Sequence, residues 1–139
     1  MDSPAHFIPN GLLIHQVPLQ SMLVYAAVID VSSKCDPIDS PNYELSIEDV
    51  LEWEATHGRI PQKSCVIMRC GYDNRMSSVE EYAGLGHHGR KANFPGFSIE
   101  CARFLTAERD IVGIGLDTLT PDCGVTISTM KSHDDVVVH

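Results

Sequence analysis

Three apolar runs of strand length, separated by stretches with helical spacing, leave this chain few architectures to adopt. They are Met22 to Val31, Ser64 to Cys70 and Ile111 to Leu116. The first two are nearly continuous in Val, Ile, Leu, Met and Ala, the pattern of a strand buried on both faces of a parallel sheet. Between the first and second runs, Ser46 is placed to cap a helix. Asp49 stands three residues on, close to a capping box, and Glu48 suits the positive helix end. Ile47, Val50, Leu51 and Ala55 form an apolar stripe at helical spacing, and Gly58 fits the position just past the end. Glu52 and Glu54 read as solvated surface charge. Before the third run, Ser98 caps a second helix, with Glu100 in its first turn and Ile99, Ala102 and Leu105 on one face. That helix stops near Asp110. A short helix is expected over Ser77 to Tyr82. The order strand, helix, strand, helix, strand predicts an α/β fold. With 139 residues, one domain over 1–139 with one core is expected.

Charge and composition narrow the partners. A formal net charge of -9 argues against nucleic acid, which needs clustered Lys and Arg. The one compact basic cluster, His87 to Lys91, reads as a solvated loop before it reads as an anion site. No apolar run is long enough to span a bilayer and no signal-peptide pattern opens the chain, so no membrane partner is expected. The five cysteines make an odd number and form neither C-x-x-C nor a zinc-finger grid, which points to a reducing cytoplasm. Cys65 and Cys101 sit in apolar segments and read as buried thiols.

Individual residues stand out against this scaffold. Arg69 is a cation at the end of an apolar strand and needs a partner. Gly113 and Gly115 in the third run suggest close backbone approach. Asp117 follows that run at its C-terminal end, where open α/β sheets place their sites, and an Asp there also caps turns. At the N-terminus, Asp2, Pro4 and His6 set a carboxylate and an imidazole around a residue that cannot continue a helix. An extended or irregular backbone can aim both into one cleft. A carboxylate beside a proton-moving His is a common hydrolytic pairing.

These residues fall into blocks that resemble a known family. The blocks are Asp2 to Phe7, Val28 to Val31, Tyr43 to Trp53, Gly58 to Pro61, Met68 to Tyr72, Phe94 to Phe97 and Gly113 to Thr120. In that order they resemble the cyclase family of metal-dependent hydrolases, which includes bacterial kynurenine formamidases (arylformamidases) and isatin hydrolases. Members carry H-x-G-T-H-x-D-x-P-x-H. Asp2 matches its metal-bridging Asp, Pro4 its Pro and His6 its acid/base His. His133 is the best match for a later metal-binding His. Cys70 and Tyr72 stand where the family usually has Thr and Trp.

The resemblance implies a swivelling β/β/α domain, a divalent metal (zinc or manganese), a small-molecule amide substrate and a homo-oligomer. The implied reaction is hydrolysis of a small amide, formamide or cyclic amide, of the kind found in tryptophan and kynurenine catabolism. The two leading His of the motif have no counterpart in this sequence, and the family's later Glu would fall past His139. The expectation is therefore a family core lacking both ends, holding metal weakly. The alternative is a catalytically inactive truncated isoform or binding module of the same family.

Overall fold

In the computed structural model, residues 3–6, 8–36, 38–84 and 92–129 are described. Strands β1 (Ala26–Asp30), β3 (Cys65–Arg69) and β5 (Gly113–Leu116) form a parallel sheet in the order β1-β3-β5. All three apolar runs therefore become strands of one sheet, with β3 in the middle. The register pairs Asp30 with Arg69 and Met68 with Leu116, so the strands end nearly level. Two further strands, β2 (Glu44–Leu45) and β4 (Gly96–Phe97), pair in parallel as a second small sheet. They are too short to show as apolar runs in the sequence.

Helix α1 (Ile47–His57) begins where the capping box placed it. Ser46 Oγ accepts from Asp49 N at 3.2 Å, and Asp49 Oδ2 accepts from Ser46 N at 2.8 Å. Gly58, at φ 85°, ends the helix in a conformation that disfavours a side chain. Helix α2 (Val79–Tyr82) is the short helix expected there. Helix α3 (Ile99–Arg109) is capped by Ser98, whose Oγ accepts from Cys101 N at 3.1 Å, and it stops at Asp110 with a left-handed φ of 52°. Helix α4 (Gly124–Thr129) follows the turn after β5. Helix α1 packs on β1 and on α3.

Some expectations fail for identifiable reasons. Strand β1 starts four residues later than the apolar run: Met22 closes a 3-10 turn (Leu19–Met22), and Leu23 to Tyr25 lie between that turn and the strand. It is also buried on one face alone: Ala27 and Ile29 are buried, while Val28 is 45% exposed. Among the described residues β1 lies at a sheet edge and the helices cover one side, so the continuous apolar pattern overstated its burial. In α1 the buried side is Val50 and Asp49, with Ile47 and Trp53 packed alongside, while Leu51 and Ala55 face solvent. Cys65 is partly exposed where full burial was expected. A Cβ on Gly113 or Gly115 would meet Cys65 or Ile67 at 3.6 Å, an ordinary contact, so neither glycine is required by close approach.

The core gathers on the covered face. Ala27 and Ile29 of β1 and Val66 and Met68 of β3 meet Val50 of α1 and Leu105 of α3. Leu45, Phe94, Phe97 and Tyr72 close it toward the second sheet. Burying a side chain of this size contributes roughly 1.5–3 kcal/mol.

Candidate active site

The level strand ends put chemistry-bearing side chains along one edge. Asp30 ends β1 and Arg69 ends β3, and the parallel register sets them side by side. Arg69 Nη1 donates to Asp30 Oδ2 at 2.6 Å. This is the partner that an unpaired cation in an apolar strand demanded. The other Asp30 oxygen accepts from Ser32 N at 2.9 Å and Ser32 Oγ at 2.6 Å. The Ser32 bonds, with help from Arg69, hold the Asp30 carboxyl below the usual carboxylate range. The bond to Asp30 raises the Arg69 guanidinium further. Both groups therefore stay charged at neutral pH.

Asp117 follows β5 on the same edge. Its Oδ1 accepts from Cys70 N at 2.8 Å and its Oδ2 from Tyr72 N at 2.8 Å. It caps the end of the neighbouring strand, and so fixes where β3 turns. Gly71 makes that turn at φ 78°, and a Cβ there would press on Ser32 Cβ at 3.3 Å. Tyr72 is buried, its hydroxyl donates to Asn93 O at 3.4 Å, and the Arg75 guanidinium lies 4.2 Å from its ring centroid. The carboxylates of this edge are thus engaged by donors and ion pairs.

Pro4–His6 forms a single 3-10 turn, which presents His6 at the surface. The turn is tied down by Ala5 N donating to Leu12 O at 3.1 Å and Ile8 N to Pro4 O at 2.8 Å. Gly11 packs directly on it: a Cβ at that position would lie 2.7 Å from Pro4 C and 2.8 Å from Pro4 O. Asp2 and His133 lie outside the described residues, as does the basic cluster at 87–91. Among the described residues, no group of three or more His, Cys, Asp or Glu side chains could hold a metal ion, so these residues do not by themselves make a metal site. No helix among them is long and apolar enough to cross a membrane.

Sequence reasoning missed the Asp30–Arg69 pair, although a signal existed. Both are charged residues closing apolar strands, and two such strands side by side in parallel bring their ends together.

The family model described as Putative cyclase matches residues 1–123. The chain belongs to this cyclase family. Isatin hydrolase of Roseibium aggregatum is 27% identical over 127 residues, which are 88% of this chain and 46% of that protein. Isatin hydrolase A from Labrenzia aggregata, solved with benzyl benzoate, superposes with a TM-score of 0.78 at 32% identity, over 88% of this chain and 47% of that one. Isatin hydrolase A from Ralstonia solanacearum superposes with a TM-score of 0.79 at 26% identity over the same shares. The chain spans about half the length of these cyclase-family relatives. Its mixed α/β fold with parallel sheets is the fold of the family.

Proposed function

We propose that this cyclase-family chain takes part in hydrolysis of a small amide, formamide or cyclic amide, in the manner of an arylformamidase or isatin hydrolase. The observation that supports this is the likeness to isatin hydrolases in both sequence and fold over 88% of the chain. Isatin is a cyclic amide, so opening its ring is attack of water on an amide carbonyl with nitrogen as leaving group. Such a reaction needs a group that gives up and takes a proton near neutral pH. An imidazole is suited to that. Asp30 is held ionised in an ion pair, and Asp117 has both oxygens on backbone N–H groups. His6, which matches the acid/base His of the family motif, is proposed to take a proton from the attacking water and return it to the leaving nitrogen. The divalent ion implied by the family, zinc or manganese, is proposed to use Asp2 and His133. The substrate is a small molecule, and the working protein is proposed to be a homo-oligomer in the cytoplasm.

The test measures hydrolysis of isatin and of N-formylkynurenine in excess manganese or zinc, where a weak site fills, together with metal content after desalting. The expected result is turnover that falls by roughly 10²–10⁴-fold in His6→Ala with metal content unchanged. Turnover unaffected by His6→Ala would remove His6 from the mechanism. Absence of turnover on both substrates would favour the non-catalytic binding-module reading.

A further inference from the structure

We propose that two copies of this chain join edge to edge, β1 against the partner's β1 in antiparallel, across a twofold axis at Val28. β1 is an outer strand of its sheet, with β3 on one side and, among the described residues, no strand on the other. Two bonds fix which of its groups face outward. Cys65 N donates to Tyr25 O at 2.8 Å, and Val31 N donates to Arg69 O at 2.9 Å. A strand residue turns its N–H and C=O to the same side, so Tyr25, Ala27, Ile29 and Val31 address β3. Ala26, Val28 and Asp30 present theirs at the open edge, and all three residues are exposed.

Edge strands that must stay alone are blunted by Lys, Pro, a bulge or a covering segment. β1 contains neither Lys nor Pro, and its register with β3 runs from Ala26 to Asp30 without a bulge. Its one charge, Asp30, is already met by Arg69 at 2.6 Å. The charge pattern then selects the partner. No Asp, Glu, Lys or Arg stands between Ser3 and Ile29, in a chain whose formal net charge is -9. A strongly acidic or basic partner finds nothing to pair with along this strip, whereas a second copy brings an equally uncharged one.

The twofold also keeps like charges apart. With Val28 opposite the partner's Val28, Asp30 falls opposite the partner's Ala26, so the two Asp30 carboxylates lie at opposite ends of the pairing. Each outward residue then exchanges both main-chain bonds with the residue it faces. Strands this short make a small contact beside the roughly 1,000 Å² that a specific interface buries. The segment leading into β1 adds apolar area. Leu23 is 81% and Tyr25 58% exposed, and antiparallel pairing sets both beside the end of the partner's strand. This pairing gives the proposed homo-oligomer its interface, and it stands whether or not the chain hydrolyses an amide.

The experiment measures mass by size exclusion with light scattering for the native chain and Val28→Pro, and tests Val28→Cys for cross-linking under mild thiol oxidation. Pro at position 28 removes an N–H that the ladder with β3 does not use, so the pairing loses its centre while the sheet keeps its bonds. Circular dichroism checks that this variant is folded. Residues opposed in a hydrogen-bonded antiparallel pair have Cα atoms about 5.5 Å apart, within the span of a disulfide. The expected result is a dimer for the native chain and half that mass for Val28→Pro. Val28→Cys should give a covalent dimer that dithiothreitol reverses, and Val79→Cys, 74% exposed on α2, should not. A dimer that Val28→Pro leaves whole and Val28→Cys does not link would overturn this interface while sparing the homo-oligomer. A monomer at every concentration would overturn both and leave the edge to a different polypeptide.

Discussion

Glu54 shows how one residue's role depends on what packs beside it. Read as surface charge, it is 11% exposed and forms a two-pronged ion pair with Arg109, with Nε at 2.8 Å and Nη2 at 2.9 Å. Its Oε1 also accepts from Ile60 N at 2.8 Å. The Arg109 bonds hold the Glu54 carboxyl below its ordinary value of 4.5. A carboxyl depressed in the folded state contributes stability that is present above the ordinary value and lost as pH falls through the folded one. Glu54→Gln leaves a buried guanidinium without its counter-charge and should cost about 3 kcal/mol at neutral pH. That difference should shrink in acid, as the pH falls through the lowered value of the folded carboxyl and the wild-type group also takes up a proton. Denaturant unfolding of both proteins at the two pH values checks this; a pH-independent difference would mean that the pair's charge is not what stabilises.

At the scale of elements, β1 has one buried face and one open face, and the two faces should respond oppositely to substitution. Ile29→Ala removes a buried side chain from the core and should cost about 3 kcal/mol. Val28→Lys, on the open face, should change stability by no more than about 0.5 kcal/mol. Thermal or urea melts of both variants decide it. A large loss at Val28 would show that the open face is covered in solution. Helix α1 teaches the same lesson: its capping box was legible because Ser46 and Asp49 are local, whereas its buried side was fixed by β1 and α3.

For the whole molecule, the uncovered side is the dominant feature. Ile8, Leu13, Leu19, Leu23 and Tyr25 are exposed along the N-terminal arm, and Val28 continues them onto the sheet. Among the described residues the outer side of β1 has no strand beside it. Exposed apolar surface next to an open strand edge favours association. The isolated chain should therefore elute from size exclusion with light scattering as a species larger than a monomer, and Leu23→Lys should lower that mass. A monodisperse monomer across concentrations would refute this.

Local grammar in the sequence determined much of this protein. The Ser46 and Ser98 caps and the stops at Gly58 and Asp110 rest on neighbours within a few residues and stand where the sequence placed them, and each of the three apolar runs holds a strand, the first starting four residues late. The family was also legible, because its blocks keep their order along the chain. Tertiary structure alone decided which face of β1 is buried, that Arg69 pairs with Asp30 and that Asp117 caps β3. It also decided that Glu54 is a core ion pair. Each of these joins residues at least 39 positions apart, except the face of β1, which depends on where the helices lie. Hydrophobic periodicity reports that a segment is apolar, and it carries no information about which segments will cover it or which charges will be set side by side.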